Sequence, residues 1–321
     1  FNDTATTEIY TLSLHDALPI FNEEEVLPEL LRRLATVFSS HPAVAWRAIL
    51  VDDGSRDRSA ALISAHAASD PRFTLVELSR NFGFQAALSA GLAAAAEADA
   101  VITMDGDLQD PPELVVELVS AWRAGGEVVR AVRRSRAETG LRRMGLDLFH
   151  AGFGRLIDFP IEPNTGTFGL LSREAVSALR QLPERHRFFP GLRAWIGFKV
   201  ADVPYDRQER AAGQPGQTVG RLVRYALDGL FSFSRLPLRV VTYTGLAIAM
   251  IGFAAAVFYA VRRLTGVETA PTGYTTLVTL LILFGGLQLI GIGLIGEYLG
   301  RIYDEVKQRP LYVLKRPPPR A

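Results

Sequence analysis

Two long uncharged stretches constrain the architecture of this chain more than any other feature of its sequence. Residues 240–261 and 275–295 contain no Asp, Glu, Lys or Arg. Each approaches the ~20 apolar residues that a helix needs to cross a hydrocarbon layer of about 30 Å. The alternative, a pair of buried helices in a soluble core, disagrees with the absence of a polar face. We therefore expect a two-helix transmembrane hairpin over 240–298.

The charges beside these stretches predict how the chain is oriented. The connecting loop carries Arg262 and Arg263 against Glu268. Basic residues are more numerous outside the hairpin: Arg221, Arg224, Arg235, Arg239, Arg301, Lys307, Arg309, Lys315, Arg316 and Arg320. The positive-inside rule then places the large N-terminal part and both termini in the cytoplasm of a multi-pass protein of the bacterial inner membrane. Glycines in the second stretch favour close helix packing, within the hairpin or in a homo-oligomer.

The composition excludes several other classes of protein. The chain has no cysteine, which removes disulfides, thiolate metal sites and a cysteine nucleophile. Its 35 basic and 34 acidic residues nearly balance, so nothing in the net charge indicates a nucleic-acid partner.

The first twenty residues differ in character from the rest. The segment 2–20 resembles one reading frame of a common short-read sequencing adapter. We expect residues 1–20 to be such an artefact, standing in for the first strand, with native sequence from Phe21 onward. Pro19 and Ile20 nevertheless suit the motif that follows them, so the junction is nearly seamless.

Strand and helix patterns alternate through the N-terminal part. Apolar spacing predicts helices over 24–39 and 58–68, and strands over 48–51, 73–78 and 100–104. Such alternation is typical of a mostly parallel sheet flanked by helices. Ligands of these sheets bind beyond the carboxyl ends of the strands.

Carboxylates follow two of the predicted strands. Asp52 and Asp53 end one strand, and Asp105 and Asp107 follow another. Crowded carboxylates repel one another unless a cation lies between them, so they are either solvated turn residues or metal ligands. Asp110, just before two prolines, is expected to cap the next helix.

Four motifs occur in a fixed order: "PIFNE", "VDDGS", "SRNFGFQAAL" and "MDGDLQDPPE". Each is weak alone, but the set resembles family 2 glycosyltransferases of the GT-A, Rossmann-like fold. With "RLVRYALDGLFSFSRLPLR" and the two uncharged stretches, it resembles the polyprenyl-phosphate glycosyltransferases. That group includes dolichol-phosphate mannose synthases and bacterial undecaprenyl-phosphate glucosyltransferases. The resemblance implies a catalytic domain over 21–213, an amphipathic interfacial segment over 214–239, the hairpin, and a basic tail over 299–321.

The resemblance also implies an activity. It is the inverting transfer of a sugar from a nucleotide sugar, with UDP-glucose expected, to polyprenyl (undecaprenyl) phosphate. Asp105 and Asp107 would hold Mg²⁺ or Mn²⁺, and Gln109 would also reach the metal. Two alternatives remain open: a processive polysaccharide synthase, although "GLRAW" lacks the Gln of a Q-x-x-R-W motif, and a catalytically silent nucleotide-binding membrane scaffold.

Further site residues follow from the same resemblance. Nucleotide-sugar binding is assigned to Pro19, Phe21, Glu23, Asp52, Asp53, Arg80, Asp105, Gly106 and Arg133. A purely structural role explains Asp52 equally well. A position in a solvent-exposed loop explains Arg80 equally well. The acceptor phosphate is assigned to Arg207, Arg210 and Arg221, and general attraction to an anionic leaflet is the alternative explanation.

Thr167 is a departure from the family pattern. The resemblance implies an acidic residue there, which in that family is commonly taken as the catalytic base. A phosphate monoester has a second pKa near 6 and is largely deprotonated at neutral pH. Such a nucleophile needs positioning more than proton removal, so we expect Thr167 to be compatible with turnover.

Overall fold

The computed structural model describes residues 12–134, 165–185, 187–206, 236–265 and 273–316. These residues belong to two compact units. One contains the sheet and its flanking helices, together with the C-terminal tail from Arg309 onward. The other contains two long helices.

In the described part of the chain, seven strands form one mixed sheet. They are β1 (Leu12–Ile20), β2 (Val44–Asp52), β3 (Phe73–Glu77), β4 (Ala100–Thr103), β5 (Val128–Arg133), β6 (Thr165–Ser172) and β7 (Val200–Tyr205). Their order across the sheet is β3-β2-β1-β4-β6-β5-β7. Only β6 runs antiparallel to its neighbours, β4 and β5. The predicted mostly parallel α/β sheet is confirmed.

The helices of this unit are α1 (Leu27–Ser40), α2 (Ser59–Ser69), α3 (Phe84–Ala94), α4 (Val115–Arg123), α5 (Arg173–Gln181) and α6 (Phe189–Trp195). A 3₁₀ turn, Pro112–Leu114, precedes α4. The helix predicted over 24–39 begins three residues later, at Leu27. Pro28 explains the shift, because proline lacks a backbone N–H and is accommodated in the first turn of a helix.

The core lies between α1 and the sheet. The residues that α1 buries recur at helical spacing: Leu27, Leu30, Leu31, Leu34, Val37 and Phe38. Phe38 stacks on Trp46 of β2 with ring centroids 5.3 Å apart. Aromatic packing of this kind fixes the C-terminal part of α1 on the amino-terminal part of β2.

Strand β1 lies inside the sheet, between β2 and β4, although it falls in the segment that resembles an adapter. Asp16 of this strand is fully buried, and neither carboxylate oxygen has a hydrogen-bond partner among the described residues. Burial raises the pKa of Asp16 to about 8. Burial, followed by the charge of Arg47, lowers the pKa of the neighbouring His15 to about 4. The artefact origin of residues 1–20 stays a prediction.

The second unit contains α7 (Leu236–Leu264) and α8 (Tyr274–Val306), of 29 and 33 residues. Helix α8 continues past residue 298, where the sequence predicted the hairpin to end. Within the described ranges, no helix meets the combined length and hydropathy needed to cross a membrane. The predicted interfacial segment, as far as position 235, lies outside the described residues. Arg207, Arg210 and Arg221 also lie outside them.

Candidate active site

A cavity of about 340 Å³ lies where β1, β2 and β4 end. Seven of the residues assigned from sequence line it: Pro19, Phe21, Glu23, Asp53, Asp105, Gly106 and Asp107. Asn81, Gly83, Phe84 and Ala87 complete the wall with Ile20. Those four belong to the "SRNFGFQAAL" motif, of which the sequence analysis had assigned only Arg80 to the site.

Asp105 and Asp107 follow β4 and face this cavity together. One oxygen of Asp105 accepts a hydrogen bond from the Thr167 hydroxyl at 3.0 Å. Asp107 accepts one from the backbone N–H of Gln109 at 3.1 Å. Leu108, directly after Asp107, has a positive φ of 57°. A non-glycine residue in that conformation is uncommon and is associated with functional turns.

This pair of carboxylates fits a divalent metal. Carboxylate oxygens are hard ligands, which Mg²⁺ and Mn²⁺ prefer. Among the described residues, no group of three or more His, Cys, Asp or Glu side chains is arranged to hold a metal. A metal bound by Asp105 and Asp107 would therefore take its remaining ligands from a bound diphosphate and water. Gln109 does not line the cavity and contacts Asp107 through its backbone.

Gly106 packs closely against the end of β1. A Cβ atom built on Gly106 would collide with the Ile20 side chain at the end of β1 and approach the carbonyl oxygen of Pro19. The sequence assigned Gly106 to nucleotide-sugar binding, and Gly106 lines the cavity. The structure shows that the nearest group is strand β1, so Gly106 brings the two carboxylates against that strand.

Asp52 and Asp53 have different surroundings, although both are buried. Asp53 lines the cavity and accepts hydrogen bonds from the N–H groups of Phe82 and Gly83 at 2.7 and 2.9 Å. Asp52 does not line it, and accepts instead from the Ser55 N–H at 3.2 Å. Burial raises the pKa of both carboxyls. Asp52 therefore stabilises the turn, whereas Asp53 joins two loops at the edge of the cavity.

Arg80 lies in a different place from the one expected. Its guanidinium stacks over the Phe82 ring at 4.0 Å and donates to the Asn81 carbonyl at 2.9 Å. It lines a second cavity instead of the one that contains Asp53. Asp53 holds the backbone of the loop, so Asn81 and Phe84 face the first cavity while Arg80 and Phe82 face the second.

Arg133 belongs to a network that the sequence did not reveal. The Tyr205 hydroxyl donates to Asp110 at 2.5 Å and accepts from Arg133 Nε at 3.2 Å. Burial, reinforced by Asp110, raises the pKa of Tyr205. Burial alone would lower the pKa of the Arg133 guanidinium. The hydrogen bond with Tyr205 and the nearby carboxylates of Asp110 and Asp105 outweigh this effect, so the pKa of Arg133 is raised.

The same network corrects the expectation for Asp110. No side chain caps the 3₁₀ turn that follows it. Asp110 is buried and faces β7, where Tyr205 supplies a hydroxyl donor. This contact joins residues that are 95 positions apart in sequence, so local capping patterns do not predict it.

Thr167 lies directly beside the turn that carries Asp105 and Asp107. Its hydroxyl donates to Asp105, and its carbonyl accepts from the Thr103 hydroxyl at 2.5 Å. The position at which the resemblance led us to expect an acidic residue therefore contacts one of the two carboxylates. Here it supplies a neutral hydrogen-bond donor.

Replacing Tyr205 with phenylalanine tests the buried network. We expect Tyr205→Phe to lower the free energy of unfolding by about 1–3 kcal/mol, because buried Asp110 loses its hydroxyl donor. Denaturant titration of the full chain measures the change. Tyr243→Phe, at a side chain that is 67% exposed, is the matched control and should have no effect. Equal stability of Tyr205→Phe and the parent protein would contradict the role of this hydrogen bond.

The mixed sheet and the carboxylates at the end of β4 define an α/β fold of the GT-A type. The family model described as "Glycosyl transferase family 2" matches residues 17–180. A second model, "GtrB C-terminal hairpin", matches residues 236–302. The chain belongs to glycosyl transferase family 2 and is a glycosyltransferase.

Named relatives cover nearly the whole chain. An uncharacterized glycosyltransferase of Synechocystis, sll0501, is 44% identical over 305 residues, which is 95% of each chain. The bactoprenol glucosyl transferase of Shigella phage SfII is 40% identical over 300 residues, covering 93% of this chain and 96% of that one. Among solved structures, the mannosyltransferase PcManGT of Pyrobaculum calidifontis, in complex with GDP-Man and Mn²⁺, is 16% identical. The match covers 93% of this chain and 87% of the PcManGT chain, with a TM-score of 0.49.

Proposed function

We propose that this glycosyltransferase moves glucose from UDP-glucose to undecaprenyl phosphate, giving a polyprenyl-phospho-glucose with inversion at the anomeric carbon. The observation that carries the proposal is the meeting of Asp53, Asp105 and Asp107 in one cavity at the ends of parallel strands. The chain that provides this cavity is similar, over most of its length, to proteins named bactoprenol glucosyl transferases.

The donor side of the reaction follows from the cavity. Phe21, Glu23 and Asp53 would surround the nucleoside, and Asp105 and Asp107 would hold Mg²⁺ or Mn²⁺. A bound divalent cation neutralises the negative charge that develops on the leaving diphosphate. Arg133, kept protonated beside Tyr205 and Asp105, adds a fixed positive charge on the same side.

The acceptor side needs little proton chemistry. A polyprenyl phosphate is already an anionic nucleophile near pH 7. Thr167 keeps Asp105 in place through its hydroxyl instead of acting as a base. Arg207, Arg210 and Arg221 remain the proposed contacts of the acceptor phosphate, because a guanidinium matches phosphate geometry.

A lipid acceptor implies a membrane location. We place the protein in the bacterial inner membrane, with residues 240–298 as a hairpin and both termini in the cytoplasm. The two uncharged stretches and the basic residues beside them support this orientation, and the match to the hairpin family model covers the same region. The glycines of the second stretch support a homo-oligomer.

The direct test is transfer of radiolabelled sugar. Membranes containing the protein are incubated with undecaprenyl phosphate and labelled UDP-glucose, UDP-galactose or GDP-mannose, with and without EDTA. We expect a lipid-extractable product from UDP-glucose that EDTA abolishes and alkaline phosphatase leaves intact. A water-insoluble polymer would favour the processive synthase, and donor binding without any product would favour the silent scaffold. Either result would contradict the proposal.

Thr167→Asp tests whether the acceptor phosphate reacts without a catalytic base at this position. We expect its rate to remain within about tenfold of the parent protein, because the phosphate is deprotonated without help. Initial rates across pH 6 to 9 provide the measurement, and Thr167→Asn is the neutral control of similar size. Turnover by Thr167→Asp combined with none by the parent protein would show that a base at this position is indispensable.

A further inference from the structure

A second cavity, of about 560 Å³, lies beside the same loop between β3 and α3. We call it the arginine cavity, because Arg80, Arg185, Arg187 and Arg309 line it. None of the described residues in its wall is acidic, and none is shared with the cavity that contains Asp105. Four guanidinium groups around one space produce a strongly positive potential.

Backbone carbonyl groups accept hydrogen bonds from three of these arginines and so position their guanidinium groups. Arg187 donates to the Leu179 carbonyl at 2.8 Å, and Arg185 donates to the carbonyl of Arg309. Arg80 donates to a carbonyl as well. Burial lowers the pKa of Arg187, against the nearby charges of Glu184 and Tyr312. An anion in the cavity would offset this cost of burying a positive charge.

The C-terminal tail forms one wall of the arginine cavity. Its backbone extends the sheet beyond β3, with Ser79 N–H donating to Val313 and Lys315 N–H donating to Glu77, both at 2.8 Å. Lys315 Nζ also pairs with the Glu77 carboxylate at 3.0 Å. These contacts fix the tail and so bring Arg309 to the cavity.

The arginine cavity is coupled to the donor site through one loop. Residues 79–86 line both cavities with different side chains, and Asp53 binds the N–H groups of Phe82 and Gly83 in that loop. A ligand that holds Arg80 from one side therefore also restricts the wall of the donor cavity on the other.

We propose that the arginine cavity binds a phosphate group and that its occupancy holds the tail and the donor loop together. Guanidinium groups bind phosphate through paired N–H donors. This phosphate differs from the reacting one, which must lie beside Asp105 and Asp107, and neither of these lines the arginine cavity. Its source is either the headgroup of an anionic lipid or free phosphate. In sequence, Arg309 comes three residues after α8, which favours the lipid if the proposed membrane hairpin is correct.

Direct binding tests the site without relying on catalysis. Equilibrium dialysis of the full chain in neutral detergent with ³²P-phosphate should show saturable binding. Arg187→Gln and Arg309→Gln should each weaken it about tenfold or more, because each loses a charged hydrogen bond. Arg133→Gln should leave it unchanged, which excludes binding at the donor site. Arg123→Gln, an exposed arginine on α4, controls for surface charge.

Hydrogen exchange distinguishes the two sources. In nanodiscs of phosphatidylcholine, adding phosphatidylglycerol should slow exchange of the Ser79 and Lys315 amides if a lipid headgroup occupies the cavity. Slowing by inorganic phosphate alone would support the site with free phosphate as its occupant. Absence of saturable binding in the parent protein, or equal weakening in Arg123→Gln and Arg309→Gln, would overturn the proposal, whatever sugar the enzyme transfers.

Discussion

Asp107→Asn is expected to lower kcat/KM for sugar transfer by more than about 100-fold. The asparagine keeps the oxygen that accepts from the Gln109 N–H, so the turn after β4 should remain folded. What it loses is the negative charge that faces the cavity beside Asp105. Removal of one group that stabilises charge in a transition state typically costs about 10²–10³ in rate.

Initial rates with labelled UDP-glucose at saturating Mn²⁺ provide the measurement. Glu117→Gln, on the exposed side of α4, removes a carboxylate elsewhere and should retain full activity. Raising the Mn²⁺ concentration should recover part of the activity of Asp107→Asn if weakened metal binding is the cause. Retention of parental activity by Asp107→Asn would exclude this carboxylate from the reaction.

The second large effect concerns stability and pH, and it arises from Asp16. In the unfolded chain this carboxyl has a pKa near 3.8, whereas in the fold burial raises it to about 8. Between these pH values the folded protein holds a proton that the unfolded chain has released, so stability falls as the pH rises. Two pKa values about 4 apart correspond to a loss of about 5 kcal/mol.

His15 acts in the opposite direction over part of this range. Its pKa is about 4 in the fold and 6.5 in the unfolded chain, so stability rises with pH between those values. The two residues therefore nearly cancel from pH 4 to 6.5, and the loss caused by Asp16 becomes visible from about pH 6.5 to 8.

Asp16→Val isolates the carboxyl. The stability advantage of this variant over the parent protein should widen by about 5 kcal/mol between pH 4 and pH 8. Denaturant titrations of the full chain at several pH values measure it, and Glu117→Gln serves again as the control. A difference that stays constant with pH would show that Asp16 is not buried as the structure describes.

A buried carboxylate that has no hydrogen-bond partner among the described residues is also what a replaced strand would leave. Natural cores rarely bury a carboxylate unless it is paired. Amplifying the gene from independent genomic DNA and sequencing its 5′ end tests whether residues 1–20 belong to the protein. An unchanged reading frame would refute the adapter explanation and make Asp16 a native feature.

The sequence was informative where the structure depends on local patterns. Helix and strand periodicity placed the elements from α1 to β4, and the carboxylates at strand ends indicated the site, because parallel strands bring their carboxyl ends to one edge. Arg80 and Asp110 were placed less well. Their surroundings depend on residues far away in the chain, Arg309 and Tyr205, and on which way a loop faces. Neither can be read from spacing.

Binding of UDP-glucose measured by calorimetry, with and without Mn²⁺, is the most direct test of the central claim. We expect tight binding of UDP-glucose only when the metal is present, and loss of this metal dependence in Asp107→Asn. An affinity for UDP-glucose that Mn²⁺ and Mg²⁺ leave unchanged in the parent protein would contradict it.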